Sequence, residues 1–186
     1  MRTYKIICII IVFVLSSCIS LVKGNRFKQL DNQSKQSIKV YSDTINLKNN
    51  LIYEITGDQL KRELKKQNKS LVYIFANNCS SDNCLPLKTV EEYAEKNNLT
   101  LFLIMSSFYK METSLSQNIE STLFAIKATH YGNINNNKYI QSFKEDIGYY
   151  DYVEKKNQKW LGNYIFYKKD SIIDIKINPI NAHNNK

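Results

Sequence analysis

Two cysteines near the middle of the chain, Cys79 and Cys84, are the residues best suited to do chemistry, and four residues separate them. A thiolate is a nucleophile and a soft metal ligand, so a pair at this spacing can close a disulfide, exchange it with another protein or hold a metal ion. Which of these applies depends on the compartment of the protein and on the elements that hold the two thiols.

The N-terminus indicates the compartment. Arg2 and Lys5 precede an uncharged run at residues 6–15, which has the length of a signal-peptide core but lacks the about 20 apolar residues of a membrane-spanning helix. The tetrad Leu-Ser-Ser-Cys at residues 15–18 then resembles the lipobox of bacterial lipoproteins. The resemblance implies cleavage before Cys18, a diacylglyceryl group on its thiol and a fatty acyl group such as palmitate on the new amino terminus, which together form a durable membrane anchor.

An export signal makes the cysteine count informative. Cys8 leaves with the signal and Cys18 is acylated, so Cys79 and Cys84 are the pair that remains in an oxidising compartment. We therefore expect a disulfide between them for at least part of the time. The alternatives to a lipobox are an uncleaved anchor helix over residues 6–22 and an ordinary signal in which Cys18 is incidental.

The chain offers little to a metal ion or a cofactor. It has two histidines, His130 and His183, and neither their number nor their spacing suits a zinc or copper site with Cys79 and Cys84. No glycine-rich phosphate loop, Ser-His-Asp order or carboxylate pair stands out. We expect neither a metal nor a cofactor.

The composition is basic, with a formal net charge of +9 that falls to about +7 when the signal peptide is removed. The lysines are dispersed along the chain rather than arranged in one stripe, and exported proteins rarely meet nucleic acid. We therefore expect no nucleic-acid partner. The charge is assigned to solubility and to a weak attraction to lipid headgroups.

The elements that position the cysteines alternate between strand and helix. The pattern predicts two helices that begin near Gly57 and Leu85, the first opening on a capping box at Thr56. A third helix is predicted over residues 114–129, because Leu115, Ile119, Leu123 and Ile126 recur at helical spacing. Further predictions are strands at residues 51–55, 71–75 and 99–105, a short helix at 138–146, and a hairpin of residues 163–167 and 172–177.

The order of strand, cysteine, helix, strand, helix and closing hairpin resembles the thioredoxin fold over about residues 50–178. The segment Tyr-Ile-Phe-Ala-Asn-Asn-Cys at residues 73–79 is similar to the strand that runs into the first active-site cysteine of that family. The resemblance implies a three-layer α/β/α domain with a mixed central sheet. It also places Cys79 exposed at the carboxyl end of a strand and at a helix N-terminus, where its thiolate would be favoured, with Cys84 as the resolving thiol.

The chain departs from the thioredoxin pattern in two places. The spacing is C-x-x-x-x-C instead of C-x-x-C, and Asp82 stands where the second cysteine is expected. The place of the family's cis-proline, before the hairpin, reads Leu-Gly-Asn-Tyr at residues 161–164. Two functions stay open. One is a non-catalytic, partner-binding protein stapled by a Cys79–Cys84 disulfide, and the other is a thiol-disulfide oxidoreductase that uses the pair on protein disulfides.

Tyrosines and other aromatic residues are frequent between residues 149 and 167, where they would serve either the core or a recognition surface, and we favour the core.

These expectations divide the chain into four parts, namely a signal peptide (1–17), a lipid anchor and polar tether (18–48), a thioredoxin-like domain (49–178) and a polar tail (179–186). The end of the tether could add an edge strand around Ile38, Val40 and Ile45. Ile19, rather than an aspartate, follows Cys18, which resembles the default sorting of Gram-negative lipoproteins to the outer membrane. We expect the domain to face the periplasm, or the outer side of the plasma membrane in a Gram-positive cell.

Overall fold

A computed structural model of the protein describes residues 24–132, 137–158 and 161–180. The predicted signal peptide, the predicted lipidation site Cys18 and the tail residue His183 lie outside these described residues. Within them, no helix has both the length and the apolar character needed to cross a membrane.

The described residues form one mixed sheet of seven strands with six α-helices, so the protein belongs to the α/β class. The strands β1–β7 are Ile38–Val40, Ile52–Ile55, Lys69–Phe75, Thr100–Met105, Leu123–Ile126, Tyr164–Lys168 and Ser171–Lys176. The helices α1–α6 are Asn32–Gln36, Gly57–Lys66, Leu87–Lys96, Met111–Leu115, Lys138–Asp146 and Tyr149–Lys155. Two short 3-10 turns lie at Phe27–Gln29 and Ala128–Tyr131.

The strand order is β1-β2-β5-β4-β3-β6-β7. Strands β1 to β5 pair in parallel, whereas β6 is antiparallel to β3 and β7 is antiparallel to β6. The first five strands and β7 therefore all point the same way and end together. We call this the carboxyl end of the sheet, where residues 76–85 follow β3, residues 106–110 follow β4 and residues 177–180 follow β7.

Helices cover both faces of the sheet, which gives the predicted three layers. The residues of β3 alternate between two cores: Val72 and Ile74 pack with α2, α5 and α6, and Leu71, Tyr73 and Phe75 pack with α3. A strand buried on both faces is a continuous apolar run, and this is the feature that identifies β3 in the sequence.

Most of the predicted elements are confirmed. The capping box of α2 is present, because Thr56 Oγ1 accepts a hydrogen bond from Gln59 N at 3.3 Å and Gln59 Oε1 accepts one from Thr56 N at 2.9 Å. The predicted strands β2, β3 and β4, the helices α2, α3 and α5, and the hairpin of β6 and β7 lie within two residues of their expected bounds.

The helix predicted over residues 114–129 is wrong. Helix α4 ends at Leu115, and Leu123–Ile126 is strand β5, which lies between β2 and β4. The carboxylate of Glu91 on α3 accepts hydrogen bonds from the backbone N–H groups of Glu120 at 2.9 Å and Ser121 at 2.7 Å. These N–H groups are thus satisfied by a side chain instead of by helical carbonyls, and the chain enters the sheet extended.

The buried carboxylate of Glu91 also accepts hydrogen bonds from the Ser121 hydroxyl at 2.7 Å and from Lys88 Nζ at 2.9 Å. Burial alone would raise the pKa of Glu91, but these hydrogen bonds outweigh it and hold the pKa below its usual value. Glu91 therefore stays ionised and fixes the loop before β5.

Parts of the segment predicted as a polar tether, residues 18–48, pack against the domain in the part that the structure describes. Asn25 is buried, and the predicted edge strand forms as β1, which pairs with β2. Tyr41 packs in the core, and its hydroxyl donates to Glu63 on α2 at 2.5 Å. The polar composition of this segment did not indicate that Asn25, β1 and Tyr41 would be packed. Residues 19–23 lie between Cys18 and the first described residue, Gly24, which is buried.

The outer strands of the sheet offer little free edge. Strand β1 has only three residues. Strand β7 carries a bulge opposite Phe166 and Tyr167, which leaves Ile173 without a partner on β6. The Tyr152 hydroxyl donates a hydrogen bond to the carbonyl oxygen of Ile173 at 3.0 Å, while the Ile173 side chain is 53% exposed. Bulges and capped carbonyls are devices that stop further strands from pairing.

Candidate functional site

The expected disulfide between Cys79 and Cys84 is present, and their Cα atoms lie 6.0 Å apart. It closes the loop of residues 76–85 that follows β3 at the carboxyl end of the sheet. Two tight turns bring the cysteines together, one with a hydrogen bond from Cys79 N to Ala76 O at 3.1 Å and the other with one from Cys84 N to Ser81 O at 2.8 Å.

The two cysteines differ in exposure. Cys79 is exposed, as are residues 78–83 around it, whereas Cys84 is half-buried. The structure therefore places Cys79 where the sequence predicted it, at the carboxyl end of a buried strand and open to solvent. Of the two cysteines, Cys79 is the one that another thiol can reach more readily.

The predicted position of Cys79 at a helix N-terminus is wrong. Helix α3 begins at Leu87 after Pro86, eight residues beyond Cys79 and three beyond Cys84. The electrostatic effect of a helix terminus decays within one turn. In addition, Leu87 N already donates a hydrogen bond to Gln117 Oε1 at 3.0 Å. The longer spacing between the cysteines thus separates Cys79 from the helix that would favour its thiolate.

Tyr164 on β6 holds the second half of the loop. Its ring stacks on the ring of Tyr73 with a centroid separation of 4.1 Å and an angle of 7° between the planes. Its hydroxyl donates to Asn83 O at 3.1 Å and accepts from Leu85 N at 3.2 Å. Tyr164 thereby bridges the residues on either side of Cys84.

Two asparagines fix the loop at other points. Asn77 Nδ2 donates to Tyr109 O at 3.0 Å, and Asn77 Oδ1 accepts from the Ser114 hydroxyl. Asn178, after β7, donates through Nδ2 to Asp82 O at 3.3 Å. Side-chain hydrogen bonds thus hold the start, the middle and the end of the loop.

We expect Tyr164→Phe to make the disulfide easier to reduce. The substitution keeps the stacked ring but leaves Leu85 N and Asn83 O without their common partner, which costs about 1 kcal/mol of loop stability and raises the open population about fivefold. The measurement is the rate of disulfide reduction by excess dithiothreitol under native conditions.

Tyr167→Phe is the matched control for this substitution. Tyr167 is also a buried tyrosine of β6, but its hydroxyl donates to Ile147 O at 3.0 Å, away from the loop. Removing it should lower stability by a similar amount while leaving the reduction rate unchanged. Equal reduction rates in the two variants would contradict the role of Tyr164 in holding the loop.

The segment Leu161–Tyr164, which stands in the place of the family's cis-proline, does lie beside the disulfide. Asn163 and Tyr164 line a cleft of about 260 Å³ together with Cys79, Cys84 and Ile177. Asn163 O also accepts a hydrogen bond from Ile74 N at 3.1 Å. The segment before β6 therefore faces the cysteines, and it contains no proline.

A buried lysine, Lys144, makes a hydrogen bond to the side chain of Asn163. Lys144 on α5 is 9% exposed, donates a hydrogen bond through Nζ to Asn163 Oδ1 at 3.0 Å and lies 4.4 Å from the centre of the Tyr149 ring. Burial lowers the pKa of Lys144 to about 8. The sequence gives one signal for Lys144, its place beside Phe143 on the apolar face of α5, and this signal did not identify it as a site residue.

The aromatic residues between 149 and 167 belong mainly to the core. Tyr149, Tyr164, Phe166 and Tyr167 are buried, as favoured from the sequence, and Tyr150 is exposed. Trp160 lies outside the described residues.

Within the described ranges, no group of three or more histidine, cysteine, aspartate or glutamate side chains is placed to hold a metal ion. His130 is exposed in the 3-10 turn after β5, with its ring against that of Tyr131.

Comparisons of the chain with protein-family models, with curated proteins and with solved structures found no match. The interpretation of the site therefore depends on its own geometry.

Proposed function

We propose that the protein is an envelope lipoprotein anchored through Cys18, with a divergent thioredoxin-like domain and a partner-binding role in which the Cys79–Cys84 disulfide is structural. The support for a thioredoxin-like domain is the path of the chain, since β3 runs into the cysteine loop, α3 leads to the parallel strand β4, and the antiparallel hairpin of β6 and β7 closes on β3. Strand β5 is a departure, because it stands where the resemblance implies a helix.

The observation that carries the structural role is the bridge made by Tyr164. A catalytic disulfide must open and close in each cycle, so the thiol pair has to be nearly as stable reduced as oxidised. Here the Tyr164 hydroxyl fixes the backbone on both sides of Cys84, and Cys79 gains nothing from a helix terminus. Both features favour the oxidised, closed loop.

The reduction potential of the Cys79–Cys84 couple, measured against glutathione, tests this proposal. We expect a value below about −300 mV, together with no reduction of insulin disulfides. A potential between about −120 and −270 mV, with a mixed disulfide trapped on Cys79 in the Cys84→Ser variant, would contradict the structural role.

Cys79 is exposed while its partner Cys84 is half-buried, and this difference favours a second candidate, thiol-disulfide exchange with a protein substrate. In that reaction the Cys79 thiolate attacks a substrate disulfide and releases one substrate thiolate. The Cys84 thiolate then attacks Cys79 Sγ and releases the second, so that two electrons pass from the pair to the substrate. The potential measurement separates the two candidates.

A further inference from the structure

We infer that the carboxyl end of the sheet faces the bilayer that holds Cys18, so that the Cys79–Cys84 loop lies against the lipid headgroups. The inference deepens the proposed function and rests on the proposed acylation of Cys18. It concerns which side of the domain the anchor presents to the membrane, which the sequence alone did not indicate.

The described chain begins in a buried position at the carboxyl end of the sheet. Gly24 and Asn25 are buried at the carboxyl end of the sheet, where Asn25 O accepts a hydrogen bond from Phe108 N at 2.9 Å. The Phe27 ring packs edge-on against Phe108 with a centroid separation of 5.6 Å. Phe108 belongs to the segment after β4, so the anchor leads into the domain from this end.

The same segment touches the cysteine loop. Tyr109, the neighbour of Phe108, accepts a hydrogen bond through its carbonyl oxygen from Asn77 Nδ2 at 3.0 Å. Asn77 lies two residues before Cys79. The entry of the chain and the disulfide therefore lie on one side of the molecule.

The chain between the anchor and the domain is short. Six Cα–Cα steps join Cys18 to Gly24, and at most about 3.6 Å per step they span about 20 Å. Strand β3 has seven residues, so the opposite end of the sheet is about 20 Å farther from the anchor. Only a fully extended chain would let the opposite end touch the headgroups, and every shorter path keeps the carboxyl end nearer to them.

The surface at the carboxyl end exposes both apolar and basic side chains. Ile177 and Ile180, after β7, are 45% and 37% exposed, although both are large and apolar. Lys28 and Lys110 are exposed near the entry of the chain, and Lys110 Nζ lies 5.5 Å from the centre of the Tyr109 ring. Isoleucines, a tyrosine and lysines together are what the interface of a bilayer accommodates.

Exposed carboxylates are also present at this end, among them Asp31 before α1, Asp82 in the loop and Glu112 on α4. The Ser34 hydroxyl lies 3.2 Å from Asp31 Oδ2 and 3.3 Å from Glu112 Oε1, so it donates its one hydrogen to either carboxylate in turn. Both signs of charge are thus exposed at this end, and the surface suits a headgroup layer of mixed charge.

Lipid quenching of a fluorophore tests the orientation on the full-length, acylated protein in vesicles of phosphatidylethanolamine and phosphatidylglycerol with a nitroxide on the lipid. The label is placed by Lys28→Cys at the carboxyl end or by Ser171→Cys at the opposite end, both exposed sites, with the native disulfide verified by mass. We expect quenching at position 28 to be at least about twofold stronger than at position 171, because the chain limits the distance to the membrane. Equal quenching, or stronger quenching at position 171, would overturn the inference.

Two further measurements separate this inference from the proposed function. The mass of the N-terminal fragment, compared with that of a Cys18→Ser variant, reports acylation. If acylation is absent, the lipoprotein proposal and the orientation both fail. If acylation is present and quenching is equal at the two positions, the orientation alone fails. A flexible spacer of about twenty Gly and Ser residues inserted before Gly24 should equalise the two labels, because its mean span of about 25 Å, and not only its maximum, exceeds the distance between the two ends of the sheet. Unequal quenching that survives the spacer would overturn the role of the short chain.

Discussion

Gly162→Ala is expected to destabilise the protein by more than about 3 kcal/mol, the largest effect we predict for a single substitution. Gly162 has a φ of 121°, a region that residues with a Cβ rarely adopt. A Cβ built there would lie 2.0 Å from the carbonyl oxygen of Lys176 and 2.6 Å from the N atom of Ile177. Both are backbone atoms, so the end of β7 would have to move away from the start of β6.

The shift would also reach the disulfide site. Gly162 precedes Asn163, which lines the cleft beside Cys79, and Ile177 lines the same cleft from β7. The carbonyl oxygen of Gly162 accepts a hydrogen bond from the Tyr149 hydroxyl at 3.0 Å, which fixes the segment against α6. Stability is measured by urea denaturation, and the same samples report the rate of disulfide reduction.

Gly148→Ala is the matched control for Gly162→Ala. Gly148 also has a positive φ, 80°, but no atom lies within 4 Å of the Cβ that alanine would add. The loss of stability in Gly148→Ala should therefore reflect the backbone conformation alone and amount to about 1 kcal/mol. Similar losses in the two variants would show that β7 does not approach Gly162 as closely as described.

Lys144→Met is expected to stabilise the protein by about 1–2 kcal/mol at pH 7. Burial disfavours the charged form of Lys144, whose hydrogen bond to Asn163 and contact with Tyr149 return only part of the lost hydration. Methionine fills a similar volume without a charge. The measurement is the free energy of unfolding in urea at pH 7.

The pH dependence gives this prediction a second readout. The pKa of Lys144 falls from 10.5 to about 8 on folding, so between these values the unfolded chain binds more protons than the folded one. The stability of the unsubstituted protein should therefore rise as the pH increases from about 8 to about 10.5, while below pH 8 the full penalty is present. Lys144→Met should lack this rise.

Lys156→Met is the control for Lys144→Met, because Lys156 also lies over a tyrosine ring, at 5.5 Å from the centre of Tyr152, but is exposed. Its substitution should change stability little and leave the pH profile intact. If Lys144→Met lowers stability at pH 7 and keeps the rise above pH 8, then the contacts of Lys144 outweigh its desolvation and the prediction is wrong.

The parts of the fold that the sequence predicted well are those with local signals. The capping box at Thr56 and Gln59 marks the start of α2, and the apolar run around Leu71–Phe75 marks a central strand. The position of Cys79 after that strand followed from the same run. These features depend on neighbours in the sequence, and the tertiary structure did not override them.

The errors occurred where distant residues decide the structure. Leu123–Ile126 is a short apolar run, which periodicity does not distinguish from part of a helix. Glu91, about thirty residues earlier, decides the outcome by binding the backbone before β5. The burial of Asn25 and Tyr41 likewise depends on contacts with elements far along the chain.

The disulfide of the candidate site was predicted from the sequence, whereas the residues that hold the surrounding segments in place were not. Cys79 and Cys84 stand out by residue type and spacing, so their disulfide was expected. Tyr164 is 80 residues beyond Cys84, and neither its type nor its neighbours indicate that its hydroxyl joins Asn83 to Leu85. Lys144 resembles the many other lysines of the chain until its burial is seen.

The bulge in β7 and the Tyr152 hydroxyl on the Ile173 carbonyl also have a consequence under the proposed acylation of Cys18, which would hold many copies in one membrane. Acylated proteins diffuse in two dimensions, where neighbours collide often and in a fixed orientation. A long, apolar outer strand would allow such neighbours to join edge to edge and grow into fibrils. With Ile173 held out of register and its carbonyl oxygen occupied, we expect a crowded layer of this protein to remain a population of separate molecules.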